Sequence, residues 1–207
     1  PSYIDRRPAR HESKNERRRP VMNTSPLLVK ASIRSADIGN LAAEIERLEA
    51  AEVDALHFDI MDGRFGPPEV SMGPMFLRGL RKYTEVPFEV HLWMYEPERS
   101  LDSYIDAGAD CVLFHIEACS DPAKALQKIT KAGCDAGLCI NPGTDPSTLT
   151  RYWDDCKLVN VMTIHPQQSG VVDDEGVTNL KEVSKRAVDR CGDLLVQADG
   201  AVSVQTR

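Results

Sequence analysis

No run of about eighteen or more apolar residues occurs in the sequence, so nothing in it reads as a transmembrane helix. There is no C-x-x-C pair either. The six cysteines, at 111, 119, 134, 139, 156 and 191, stand singly, several of them inside apolar runs. Zinc fingers and a disulfide framework are therefore poor fits. The cysteines read as small buried hydrophobes of a reducing compartment, which makes the cytoplasm the expected location. The first apolar run does not open into G-x-G-x-x-G, so a dinucleotide-binding sheet loses its best support. Positive charge is also in short supply: 25 Lys and Arg against 32 Asp and Glu leave a net charge of -7. That argues against a nucleic-acid partner for most of the surface.

The basic residues are unevenly spread. Positions 1 to 21 carry Arg6, Arg7, Arg10, Lys14, Arg17, Arg18 and Arg19 against Asp5, Glu12 and Glu16, a local +4 that leaves -11 for the rest. Three acids in so short a stretch count against a transit peptide. The expected reading of residues 1–27 is a basic, disordered extension, with Met22 close before the first strand pattern.

What is present is an ordinary globular composition, 42% hydrophobic and 28% charged over 207 residues, enough for one domain with a real core. Short apolar runs recur at Leu28–Ile33, Ala55–Ile60, Phe88–Leu92, Cys111–Ile116, Ala136–Ile140, Leu158–Ile164 and Leu194–Ala198, starting roughly 22 to 36 residues apart. Each reads as a strand buried on both faces. Between them lie helical patterns. Ile38, Leu41, Ala42, Ile45 and Leu48 make one face behind an Asp37 cap. Leu101, Tyr104 and Ile105 follow Pro97, and Val177, Leu180, Val183 and Ala187 form a last face. Gly108, Gly133 and Gly192 stand where helices end. Alternating strand and helix predict a parallel sheet with helical crossovers, either open or closed into a barrel.

The polar residues favour the barrel, because they gather where a β/α barrel keeps its active site, at the C-terminal ends of strands. Ser32, His57, Asp59, His91, His115, Glu117, Asn141, His165 and Asp199 all stand at or near the end of a run. A buried strand that finishes on His or Asp must satisfy that group, and one shared metal would satisfy several. His57 and Asp59, two apart on a strand, point the same way. With His91 and Asp199 they would make a set of two imidazoles and two carboxylates, suited to Zn²⁺, Fe²⁺, Mn²⁺ or Co²⁺ rather than Mg²⁺. On periodicity alone, a core histidine bonded to a nearby aspartate explains H-x-D as well.

Seven motifs in order, ASIRSAD (31–37), HFDIMDGRF (57–65), EVHL (89–92), HIEA (115–118), INPGT (140–144), VMTIHP (161–166) and ADGAV (198–202), resemble the ribulose-phosphate 3-epimerase family from about Val29 to Val202. The resemblance implies a TIM-type (β/α)8 barrel and a metal-dependent epimerase of carbohydrate metabolism, in the pentose phosphate pathway. Its reaction would invert carbon 3 of a ketose phosphate, D-ribulose 5-phosphate to D-xylulose 5-phosphate, through an enediolate. It implies one divalent ion on His57, Asp59, His91 and Asp199, with Asp59 and Asp199 as the acid–base pair. Ser32, His91, Met61, Met162 and Gly170 would face the substrate. The expected partner is a small sugar phosphate, with neither nucleic acid nor membrane, and homo-oligomerisation is left open.

Departures qualify the resemblance. The loop HPQQSGV (165–171) keeps only Gly170 of a glycine-rich phosphate loop, GRFGPPEVSMGP (63–74) differs in its middle, and Trp93 stands where a methionine is usual. The chain stops at Arg207, so residues 28–207 are expected to form a barrel without its eighth β/α unit. An allulose-6-phosphate-type 3-epimerase, or an inactive member that keeps the metal site, are the alternatives. Related barrel decarboxylases place a lysine where Asp59-Ile60-Met61-Asp62 has Met61, which excludes that chemistry here.

Overall fold

A computed structural model of the chain describes residues 27–166, 170–189 and 194–202. The expected basic extension falls almost wholly outside them, as does Gly192. Seven strands alternate with helical crossovers: β1 Lys30–Ser32, α1 Leu41–Ala50, β2 Ala55–Met61, α2 Pro74–Leu80, β3 Phe88–Trp93, α3 Leu101–Ala107, β4 Cys111–His115, α4 Pro122–Lys131, β5 Asp135–Ile140, β6 Leu158–Met162, α5 Asp174–Asp189 and β7 Leu195–Asp199. All pairings are parallel, in the order β1-β2-β3-β4-β5-β6-β7.

Local sequence explains the helix limits. Asp121 caps α4 by accepting from the Lys124 amide, and Pro122 opens its first turn where no N–H is needed. Gly108 ends α3 in the left-handed region at φ 108°, which a side chain would resist. Some expectations shift. Ile38 is exposed and belongs to a separate 3-10 turn, Ile38–Asn40, capped by Asp37, so the helical face begins at Leu41. Pro97 opens a 3-10 turn, Pro97–Arg99, rather than α3 itself. The crossover from β5 to β6 is a 3-10 stretch, Pro146–Tyr152, not an α-helix. Of the five described cysteines, only Cys139 is fully buried.

The central strands β2, β3 and β6 bury both faces, with different chemistry on each. Leu56, Phe58, Ile60, Phe88, Val90, Leu92, Val112, Phe114, Leu138 and Val159 pack outward under the helices in the main core. Each such side chain contributes about 1.5–3 kcal/mol by leaving water. Their alternate neighbours line the inside and are often polar. Here the sheet proves to be curled. Flat, it would hold β1 and β7 roughly 29 Å apart, six strand spacings; instead Lys30 Nζ reaches Gln197 Oε1 at 2.6 Å. Between β1 and β7 runs a cleft of about 520 Å³ lined by Leu27, Val29, Ser32, His57, Leu195 and Asp199, among others.

Among the described glycines, Gly176 makes the closest approach to neighbouring backbone. A Cβ there would lie 2.5 Å from Met162 O and 3.0 Å from Thr163 Cα, both backbone atoms. Alanine gains about 1 kcal/mol of helix propensity, but the strand must shift to admit it. Gly176→Ala is therefore expected to lose about 1–3 kcal/mol net in a denaturant titration; an unchanged midpoint would show that α5 can ride off the sheet freely.

Candidate metal centre and active site

Parallel register decides which strand ends meet. Ser32 pairs with His57, Asp59 with His91 and Met162 with Asp199. The curl then carries β7 toward β2 and β3. One coordinating atom each from His57, Asp59, His91 and Asp199 lies within 4.8 Å of all the others. His57 Nε2 and His91 Nδ1 are both 3.2 Å from Asp59 Oδ1. The same two nitrogens are each 3.5 Å from Asp199 Oδ2. Donors held at metal-bond length around a tetrahedral ion stand about 3.3–3.6 Å apart, close to the four histidine–aspartate distances here.

Each aspartate keeps one oxygen in the cluster and turns the other away. Ser32 Oγ donates to Asp59 Oδ2 at 2.9 Å. Asn160 Nδ2 donates to Asp199 Oδ2 at 2.9 Å, leaving Oδ1 without a hydrogen bond among the described residues. The backbone oxygen of Asp199 accepts from Thr163 N at 2.7 Å and Thr163 Oγ1 at 2.9 Å, which pins the end of β7 to β6.

The carboxylates draw positive charge to this point. Burial alone would depress the His57 imidazole, but Asp199, Asp59 and Glu89 outweigh it and hold its pKa well above the usual value. Asp59 shows the converse: burial opposes ionisation, yet hydrogen bonds with His57 and His91 keep its carboxyl well below the usual range. A divalent cation would supply the same charge and leave both imidazoles neutral, so the donor set fits such an ion.

A second layer of side chains fixes the histidines. His57 Nδ1 lies 2.8 Å from Glu89 Oε1, which also accepts from Gln197 Nε2 at 3.0 Å. Lys30 forms an ion pair with Glu89 Oε2. A buried carboxylate on the far nitrogen leaves Nε2 bare for the cluster. Burial works against Glu89, but His57 and Lys30 prevail and hold its pKa down to about 2.

Above the cluster, Met61, Trp93, Met162 and Ile164 form a separate apolar group with Phe65 against it. Trp93 stacks on His91 with ring centres 5.4 Å apart. The loop after β2 is tied down by Asp62, whose Oδ1 accepts from the Arg64 and Phe65 amides at 2.9 and 3.0 Å and whose Oδ2 accepts from Tyr95 N at 3.0 Å.

Of the residues singled out in the sequence, the structure gathers His57, Asp59, His91 and Asp199, with Ser32 on Asp59 and Met61 and Met162 in the apolar cover. Gly170 stands apart, exposed and at φ 83°, on a loop whose residues 167–169 lie outside the described ones. His165 is likewise exposed and outside the cluster. Lys30, Glu89, Cys139, Asn160 and Gln197 were missed. A signal for three of them was available: Lys30, Glu89 and Gln197 each precede a site residue by two, so they share its strand face.

Solved structures fix the class. Tryptophan synthase alpha-subunit mutants from the hyperthermophile Pyrococcus furiosus superpose with a TM-score of 0.56, covering 83% of this chain and 86% of theirs at 10% identity for one such structure. At that identity the likeness shows the fold alone, an α/β protein of the TIM-barrel type. The family is narrower. A family model described as the ribulose-phosphate 3 epimerase family matches residues 28–207. Ribulose-phosphate 3-epimerase of Bacillus subtilis (strain 168) is 38% identical over 181 residues, 86% of this chain and 82% of that protein. The Escherichia coli (strain K12) ribulose-phosphate 3-epimerase is 34% identical over 179 residues, 86% and 79% respectively. The chain belongs to the ribulose-phosphate 3-epimerase family, whose members so named are isomerases. Among the described residues, no helix is long and apolar enough to cross a membrane.

Proposed function

We propose that the protein is a metal-dependent 3-epimerase that interconverts D-ribulose 5-phosphate and D-xylulose 5-phosphate through an enediolate. The observation that carries this reading is the convergence of Asp59 and Asp199, from different strands, with two imidazoles in one donor cluster. His57, Asp59, His91 and Asp199 would hold one Zn²⁺, Fe²⁺, Mn²⁺ or Co²⁺. When bound, such an ion supplies Lewis acidity that spreads the negative charge of the enediolate.

The protein's own groups do the rest. Inverting carbon 3 means removing its proton on one face and returning a proton on the other. Two carboxylates from different strands allow this: either takes the proton while the other gives one, and the roles exchange with reaction direction. The oxygen that each turns away from the cluster is the one available to a substrate proton. Ser32 orients that oxygen of Asp59. Met61, Met162 and Trp93 form an apolar cover that keeps bulk water from the reacting face. The substrate is read as a sugar phosphate and the working place as the cytoplasm; homo-oligomers are compatible with the same site.

The test is turnover of D-ribulose 5-phosphate in D₂O, followed by mass spectrometry and NMR at carbon 3. Solvent deuterium should enter that carbon, and treatment with a strong chelator should remove activity at least tenfold, with recovery on adding Co²⁺, Mn²⁺, Fe²⁺ or Zn²⁺. Epimerisation without deuterium entry would exclude the proton-transfer route. Faster turnover of D-allulose 6-phosphate would move the assignment to the hexulose phosphate, and a metal-loaded protein inert to both would make it an inactive member.

A further inference from the structure

Two motifs remain unused by this chemistry, HIEA at 115–118 and INPGT at 140–144. They meet directly behind His91. His91 turns Nδ1 to the carboxylate cluster and Nε2 away from it, where His115 Nε2 lies 3.0 Å off and Cys139 Sγ 3.3 Å off. On its other side His115 offers Nδ1 to Glu117 Oε2 at 3.3 Å. Glu117 Oε1 in turn accepts from the Asn141 amide at 2.7 Å and from Thr144 Oγ1. Both imidazoles are fully buried.

We propose that Glu117 and His115 form a relay that fixes the tautomer of His91, so that its Nδ1 lone pair is presented to the cluster. The proposal rests on reading His91 as a metal donor. The logic is that of donors and acceptors. A carboxylate only accepts, so His115 Nδ1 carries the proton between them. A neutral His115 then has a bare Nε2. Two nitrogens 3.0 Å apart share one proton, because two lone pairs or two N–H groups would repel at that distance. The proton therefore sits on His91 Nε2, and Nδ1 is left bare. Cys139 Sγ beside it takes its hydrogen bond from Asn160 Nδ2 at 3.0 Å. The backbone and hydroxyl donors of the β5 loop hold Glu117 in place, so the loop acts on His91 through two side chains. Trp93, stacked on both rings with centres 5.4 and 5.8 Å away, keeps them in register. Glu117 and His115 are positioning residues in this account; neither touches substrate.

The two candidate metal histidines are thus held by different devices. His57 is set by a carboxylate directly, through Glu89, whereas His91 is set by a carboxylate acting through a second imidazole. Outer hydrogen-bond partners of metal histidines are worth roughly 10–100-fold in metal affinity.

The experiment titrates the whole protein with Co²⁺, read by visible absorbance and calorimetry. His115→Leu should weaken Co²⁺ binding about 10–100-fold. His115→Gln, whose carbonyl oxygen can still accept from His91 Nε2–H, should bind within about threefold of the unsubstituted protein. Histidine ¹⁵N NMR of the unsubstituted protein, with Zn²⁺ and without, should place the ring proton of His91 on Nε2. Equal affinities for the Leu and Gln variants and the parent would overturn the relay while leaving the metal site standing. A ring proton on Nδ1 would overturn it outright, and this reading decides the matter even if His115→Leu does not fold. Two Co²⁺ per chain, falling to one in Cys139→Ala, would also overturn it, since His91, His115 and Cys139 would then be a ligand set of their own. If the parent bound no divalent ion, the metal reading would fall first, and the position of the His91 proton would still judge the relay.

Discussion

Exchanging Asp199 for asparagine is expected to lower turnover about 10²–10⁴-fold, the usual contribution of a general acid or base, and Asp59→Asn should do the same. An amide can neither take nor return the proton, although its oxygen can still sit near the cluster. Each direction of the reaction needs both groups, so neither variant should retain one-way activity. Metal content has to be measured beside the rate, because both aspartates also contribute to the donor cluster. A variant that keeps its metal and more than about a tenth of the rate would make the two-carboxylate mechanism wrong. Ser32→Ala should be milder, since Ser32 only orients Asp59 through a single hydrogen bond.

Lys30→Met should be strongly destabilising. It removes the cation from Glu89, which is itself only 2% exposed, and stranding one member of a buried pair costs about 3–5 kcal/mol. Glu89 holds a pKa of about 2 in the folded protein, below the roughly 4.3 of an unfolded chain. Such a depressed carboxyl contributes stability that is fully present above the unfolded value and is lost as pH falls through the folded one. Without Lys30 the folded pKa rises, so acid unfolding should begin at a higher pH. Urea midpoints measured from pH 7 down to pH 2 would show both effects. A Lys30→Met protein as stable as its parent at every pH would mean that Gln197 and His57 alone satisfy Glu89.

The sequence announced the chemistry more clearly than the architecture that supports it. A histidine or aspartate at the end of an apolar run has an ordinary core explanation when it stands alone, but seven motifs in order favoured a shared site, and four of those residues do meet in space. Strand boundaries were harder. Leu28 and Val29 continue the apolar run of β1 but lie outside it, at the mouth of the cleft, where Val29 is 55% exposed. Hydrophobicity there records the edge of the sheet, not its interior. Pro146–Tyr152 carries helical spacing in Pro146, Leu149 and Tyr152, three apart, which a 3-10 turn satisfies as well as an α-helix does. Lys30, Glu89 and Gln197 escaped notice because they interrupt apolar runs, and interruptions look like noise until the curl brings β1, β3 and β7 together. Gly170 was named from a motif match as a substrate contact, and residues 167–169 of its loop lie outside the described ones.

The link between Lys30, Glu89 and Gln197 also bears on when the site comes into being. Gln197 lies 108 residues after Glu89 and 167 after Lys30. As the chain leaves the ribosome from its N-terminus, His57, Asp59 and His91 emerge first, and Asp199 and the amide that completes Glu89's contacts follow only after β4, β5 and β6. At about 5–20 residues per second, the nascent protein spends several seconds holding three donors of the four. Arrival of β7 brings Asp199 to the other three and completes the candidate donor set.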